Sequence, residues 1–171
     1  VLGKSNLDAL SPYQYAFRKS FQASEILYIF RSLIEKCIEW YNICNLFVVD
    51  GDIWKAYDTT SHQRVVNGLR AKNTPKVLVA AWVRELQKMR SAFRIGNVES
   101  REIRRNRSLI QGDPAAPYIF DAVLDQPIIE FTQLCQSRGW GFKVDNLWLP
   151  LLVWADNFWI IAHRVEHVQP M

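Results

Sequence analysis

Three separated stretches carry side chains whose types and spacing permit chemistry. The first, Asp50-Gly51-Asp52-Ile53-Trp54-Lys55-Ala56-Tyr57-Asp58, ends an apolar run in carboxylates. Acids at the end of such a strand are costly to desolvate unless a cation or hydrogen bonds compensate them. The second, Leu152 to Ile160, sets Asp156 and Asn157 between two apolar segments. Each stretch alone also reads blandly, because a strand-end acid is stable in water and Asp and Asn are favoured turn residues. If the two strands are neighbours, however, Asp52 and Asp156 meet, and paired carboxylates repel unless metal ions lie between them. Hard oxygen ligands suit magnesium, and two such ions clamp the attacking and leaving oxygens of a phosphoryl transfer. The third stretch, Arg107 to Pro117, has Gly112 just before a proline-initiated helix. Glycine lets a ligand approach the backbone there, and a helix N-terminus favours phosphate.

The elements that must hold these residues follow from periodicity. Ala23 to Tyr41 places Ile26, Phe30, Leu33, Ile34, Cys37, Ile38 and Tyr41 at helical spacing, with Ser24 as a cap. Asn45 to Ile53 reads as a buried strand reaching a rim. His62 to Lys72 is a short helix; Thr74 caps a second one, with Pro75 in its first turn and Val77, Ala81 and Leu86 inward. Ala92 to Val98 and Arg101 to Arg107 form a polar hairpin across Glu99-Ser100. Pro114 opens a long helix to about Gln136, and Leu149 to Ala155 and Phe158 to Ala162 are strands joined at Asp156-Asn157. The expected fold is α+β, an antiparallel sheet backed by helices.

Composition narrows the function classes. The chain has 171 residues, 49% hydrophobic and 13% aromatic, which suits one domain with a real core and argues against disorder. No run of 18 apolar residues occurs, so no membrane partner is expected, and Val1 to Ser5 lacks a secretion signal. Three cysteines without paired spacing (Cys37, Cys44, Cys135) argue against a disulfide framework or zinc site and fit an intracellular protein, nuclear or cytoplasmic, not a secreted one. The net charge is +4, yet Arg84 to Arg107 alone carries +5. Such a patch is either a solvated charged hairpin or the footprint of a polyanion partner. His62 reads as a helix-start residue, and His163 and His167 are spaced i, i+4 but lack a third ligand.

In this order, the three stretches resemble reverse transcriptases, most closely those of non-long-terminal-repeat (LINE-like) retrotransposons. FVVDGDIWKAYDTTSH is similar to the first palm motif, D-hydrophobic-x-K-A-aromatic-D. RSLIQGDPAAPYIF is similar to the second, x-Q-G-[SD]-P-x-[SA]-P, and VWADNFWIIA stands where the family has Y-A-D-D and an apolar strand. Upstream, QYAFRKSFQASEIL resembles the segment between fingers and palm. The resemblance runs from about Tyr13 to Ala162.

It implies a polymerase palm with part of the fingers (about 1–44 fingers-side, about 45–171 palm with the basic hairpin) and the thumb absent. It also implies RNA-directed DNA polymerase activity, a nucleotidyltransferase extending a DNA primer on an RNA template with dNTPs. Asp52 and Asp156 match the catalytic, metal-binding aspartates, with the Ile53 carbonyl and Asn157 as further ligands to two magnesium ions, manganese being able to substitute. Asp50 competes with Asp52, since period-two alternation puts both on one face; Asp52 is chosen because Tyr57 then falls at the family's spacing. Lys55 and Ala56 fall where backbone N–H groups meet the triphosphate, Tyr57 at the gate against a 2′-hydroxyl, and Gln111 and Gly112 beside nucleotide and template. Arg94, Arg101, Arg104, Arg105 and Arg107 are the nucleic-acid-binding candidates, and Asp58 is expected only to hydrogen-bond locally. Asn157 and Trp154 depart from the family pattern. Two alternatives stand beside this reading: an inactive remnant that binds nucleic acid, and an RNA-dependent RNA polymerase, against which Tyr57 speaks.

Overall fold

A computed structural model describes residues 10–39, 45–144 and 146–169. The elements in order are α1 (Ala23–Glu39), β1 (Phe47–Asp52), α2 (Ala56–Thr59), α3 (His62–Ala71), α4 (Lys76–Lys88), β2 (Arg90–Ser91), β3 (Arg94–Ile95), β4 (Val98–Glu99), β5 (Ile103–Arg104), α5 (Ala116–Arg138), β6 (Phe142–Val144), β7 (Leu147–Leu149), β8 (Leu151–Trp154), β9 (Asn157–Ala162) and α6 (Val165–Val168). They form two compact units, one built on Lys55–Val123 and one on the described residues of Leu10–Trp54 and Leu124–Met171. No helix among the described residues is long and apolar enough to cross a membrane.

The second unit holds a three-stranded antiparallel sheet in the order β1-β9-β8. Directly paired residues share a face. One face therefore carries Val48, Asp50 and Asp52 with Ile161, Trp159 and Asn157, and Leu152 and Trp154 beyond them. Its apolar part packs on α1: Ile26 and Leu33 cluster with Leu152 and Ile161, and Phe30 meets Trp159 edge-on at 5.8 Å. The reverse face carries Gly51, Phe158, Ile160, Leu151 and Val153 and packs on the later half of α5 through Leu124, Ile128 and Phe131. Burying each such apolar side chain is worth about 1.5–3 kcal/mol, so β8 and β9 are fixed from both faces. By contrast β1, expected as a buried strand, leaves Val48 and Val49 exposed and is held by its ladder to β9. The free edge of β8 is covered by the upstream segment: Val153 N–H donates to Tyr13 O (2.9 Å) and Tyr15 N–H to Val153 O (3.0 Å). Arg18 holds that segment by donating to the Gln14 carbonyl at 2.9 Å.

In the first unit α3 and α4 pack together, and Val65 and Leu69 of α3 and Val79 and Leu86 of α4 are buried. Gly68 lets α3 approach α5: a Cβ there would lie 2.6 Å from the Ala122 carbonyl oxygen. The basic hairpin has two short ladders, β2 with β5 and β3 with β4.

The α+β class agrees with expectation, while several local features differ. The basic hairpin turns at Gly96-Asn97, not Glu99-Ser100, because Gly96 supplies the positive φ (60°) and Ser100 pairs with Phe93 through N–H to O (2.8 Å). The β8–β9 hairpin turns at Ala155-Asp156, one residue before the expected Asp156-Asn157, because Asn157 belongs to the ladder with Asp52 and Trp154. Pro150 splits the strand expected over Leu149 to Ala155 into β7 and β8. The helix expected from Pro114 begins at Ala116, where Asp113 caps it by accepting from Ala115 N–H at 2.9 Å. Pro75, not Thr74, is the N-cap of α4, whose buried stripe is Val79 and Leu86; Val77 is 79% exposed. On α1, Ile34 and Ile38 face outward, and Tyr41 and Cys44 lie outside the described residues.

Candidate active site

The end of β1 is where the carboxylates gather. Asp52 stands directly opposite Asn157 in the ladder, and the next rung is the Ile53 N–H donating to the Asp156 carbonyl at 2.9 Å. Two stretches far apart in sequence thus meet at one end of one sheet. The connecting loop has two residues, with positive φ at Ala155 (55°) and not at Asp156, the pattern of a type II′ hairpin turn. Alanine takes the place that favours glycine, a local strain held by the ladders around it. Asp52 is exposed, and Asp156 and Asn157 are half-buried. Asp50 shares the face of Asp52 but lies opposite Trp159, two pairs further from the turn.

Among the described residues no three His, Cys, Asp or Glu side chains converge as a metal-binding group. The donors at this turn are two carboxylates, the Asn157 amide oxygen and the Ile53 carbonyl. Magnesium binds through one or two protein carboxylates and completes its shell with water and substrate phosphates, so this donor set fits it.

In the first unit, Lys55 (φ 48°) caps α2 from the left-handed region, Ala56 is buried, and Tyr57 is half-buried with its ring edge-on to Phe120 at 5.2 Å. Gln111 and Gly112 lie in an exposed turn ahead of α5. Gly112 has φ 87° with open space around its Cα, so its backbone conformation, not crowding, calls for glycine. Backbone bonds tie the two stretches together: Leu109 N–H donates to Tyr57 O and Ser108 N–H to Thr60 O, both at 2.9 Å.

Arg94, Arg101, Arg104 and Arg107 are exposed around the basic hairpin. Arg105 differs from them. Its Nη2 donates to Asp58 Oδ1 at 2.9 Å and to Ser108 Oγ at 3.0 Å. Asp58, expected to bond only within its turn, therefore has a partner from the hairpin, which no local pattern announces. Nor does any local pattern mark Ser108, which is fully buried at φ 116°.

The histidines take structural places. His163 Nε2 lies 2.7 Å from the Lys143 N and its ring stacks on Phe142 at 4.2 Å. His62 Nε2 is buried without a hydrogen-bond partner. Burial holds its pKa below the ordinary value; a hydrogen bond with the Ser108 backbone opposes this, and the Arg104 charge adds to it. Cys135 is fully buried, and burial pushes its thiol up to about 11.

No protein-family model matches the chain. In sequence it is similar to the retrovirus-related Pol polyproteins of the type-1 retrotransposable element R2. It is 28% identical over 129 residues to that of Nasonia vitripennis and 28% over 122 residues to that of Popillia japonica. These matches cover 74% and 71% of the chain but only 12% and 16% of the polyproteins. In fold it is similar to telomerase from Candida albicans in complex with a fragment of telomeric RNA (TM-score 0.63, 11% identity, 92% of this chain and 28% of that one). Apo telomerase from Candida tropicalis gives a TM-score of 0.56 at 12% identity, over 96% of this chain and 33% of that one. The resemblance to non-long-terminal-repeat reverse transcriptases, and the palm-like α+β fold with it, is borne out.

Proposed function

We propose that this chain is the fingers-and-palm core of a retroelement's RNA-directed DNA polymerase. The observation that carries the reading is the opposition of Asp52 and Asn157 with the Ile53–Asp156 hydrogen bond beside it. In the proposed reaction the primer 3′-oxygen bonds to the α-phosphorus of a dNTP as the bond to the departing pyrophosphate breaks. Asp52 and Asp156 would hold magnesium, helped by Asn157 and the Ile53 carbonyl. When bound, the metal neutralises charge on the attacking and leaving oxygens. The backbone N–H groups of Lys55 and Ala56 receive the triphosphate, the Tyr57 ring excludes a 2′-hydroxyl, and Gln111 and Gly112 border nucleotide and template. The exposed arginines of the basic hairpin attract the RNA–DNA duplex through its phosphates.

Asn157 supports a second reading, an inactive remnant that still binds nucleic acid, because an amide replaces a charged ligand. The test grafts this chain in place of the aligned segment of the Popillia japonica polyprotein and follows magnesium-dependent extension of a DNA primer on RNA. Extension that disappears in Asp52→Ala and in Asp156→Ala supports the polymerase. RNA binding without extension, unchanged by either substitution, supports the remnant.

A further inference from the structure

The bonds around Arg105 connect two stretches that the polymerase reading assigns to the incoming nucleotide. We propose that Asp58, Arg105 and Ser108 form a positioning clamp, which fixes the Tyr57 ring relative to the Gln111-Gly112 turn and so sets discrimination between deoxy- and ribonucleotides. The inference rests on that polymerase reading.

The need for a clamp follows from α2 itself. It has four residues, starts from a left-handed Lys55 and has no side-chain N-cap bond. A single helical turn does not hold itself together, because its nucleation cost is not recovered by so few bonds. Phe120 steadies the Tyr57 ring, but the backbone beneath that ring needs an outside anchor. Arg105 supplies it. One guanidinium nitrogen binds Asp58, the residue after Tyr57, and Ser108, the residue before Leu109, whose N–H reaches the Tyr57 carbonyl. The Arg105 N–H meanwhile donates to Met89 O at 3.1 Å, anchoring the clamp to the base of the basic hairpin.

Ser108 shows the same dependence. A non-glycine residue at φ 116° persists only where its surroundings over-determine it. Here its N–H is taken by Thr60 O, its hydroxyl accepts from Arg105, and that hydroxyl lies 2.8 Å from Leu109 O and 3.3 Å from Asp58 Oδ1. The Gln111-Gly112 turn thus has a fixed upstream end at Ser108 and Leu109, and a fixed downstream end at the Asp113 cap. The Asp58 and Arg105 side chains are themselves 41% and 36% exposed. Breaking the pair should therefore loosen these two stretches without unfolding the unit.

The experiment measures binding of dUTP and UTP to the purified chain with manganese by calorimetry, for wild type, Asp58→Asn, Arg105→Gln and the double variant. Arg101→Gln serves as an exposed-arginine control. The expected wild-type preference for dUTP falls at least about threefold in each single variant, no further in the double, and not in the control. Melting temperatures stay close to wild type. A wild-type preference that survives in both single variants overturns the clamp and leaves the polymerase reading standing. A preference that falls only in step with melting temperature also overturns it, since the pair is then merely structural. A wild type that binds neither nucleotide overturns the polymerase reading and the clamp together.

Discussion

The ring of Phe158 occupies the space that a side chain on Gly51 would need. A Cβ built on Gly51 would lie 2.6 Å from Cε2 and 2.9 Å from Cε1 of that ring, and the two residues are direct partners in the ladder. Glycine between Asp50 and Asp52 thus leaves the reverse face free for the Phe158 ring while the carboxylates stand on the other. An aromatic ring laid over a cross-strand glycine also pins register, and register is what sets Asp52 against Asn157.

Gly51 and Gly68 should respond differently to alanine. At Gly51 the obstruction is the far end of a side chain, and Phe158 borders an apolar groove of about 280 Å³ into which its ring can swing. At Gly68 it is the backbone of α5, the Ala122 carbonyl, which cannot step aside. Overpacking costs about 1–3 kcal/mol, so Gly51→Ala should sit near the lower end and Gly68→Ala near the upper. Urea denaturation of both variants checks the order. Equal or reversed costs would mean that the ring over Gly51 is as immobile as backbone.

Much of this was legible in the sequence, and what was not has a physical reason. The apolar run into Asp52 and the Gly112-Asp113-Pro114 junction announce themselves because strand ends and helix starts are local. The meeting of Asp52 with Asp156 depends on strand adjacency, which the long-range ladder between β1 and β9 supplies and no local pattern announces. Asp and Asn propensities favour a turn at 156 and 157, but the Asp52–Asn157 rung outweighs them and moves it to Ala155-Asp156. The pair Arg105–Asp58 was invisible: nothing local distinguishes Arg105 from Arg104 or Arg107, and only tertiary structure chooses among them.

The strain at Ala155 gives a second prediction. A residue at φ 55° in the first position of a type II′ turn favours glycine, and an L side chain there costs about 1–2 kcal/mol. Glycine returns part of that as extra freedom in the unfolded chain. Ala155→Gly should therefore raise stability by about 0.5–1 kcal/mol, read from the denaturation midpoint. A loss of stability would mean that the Ala155 methyl makes packing contacts worth more than the strain.

His62 makes stability depend on pH. Its unfolded value is near 6.5 and its folded value is lower, chiefly through burial. Over that interval the unfolded chain holds more protons, so stability rises with pH. The contribution is intact above about 6.5 and is lost as pH falls through the folded value. Urea midpoints at pH 7.5 and pH 5.5 should differ more in wild type than in His62→Gln. The same drop in both proteins would assign the acid sensitivity to the carboxylates instead.

Asn157→Asp brings the sheet and the chemistry into direct opposition. Asn157 shares a face with Asp52 and stands directly across from it, with Asp50 two pairs away on the same face. A second carboxylate at that rung adds like charge, which in a directly opposed pair costs about 0.2–1 kcal/mol. Without metal the variant should therefore melt lower than wild type. With magnesium the sign reverses, because the added anion becomes a ligand and metal binding stabilises only the folded chain. Half-saturation should move to lower magnesium by about tenfold if the new carboxylate contributes about 1.4 kcal/mol. Thermal melts across a magnesium series locate the crossing point, and paramagnetic broadening by manganese of the amides around Asp52 and Asp156 reports the same affinity without any turnover. Melting curves that fall at every magnesium concentration would show that the carboxylate at 157 never reaches the ion. The polymerase reading would then have to rest on Asp52 and Asp156 alone, with the Asn157 amide serving the ladder by keeping charge off that rung.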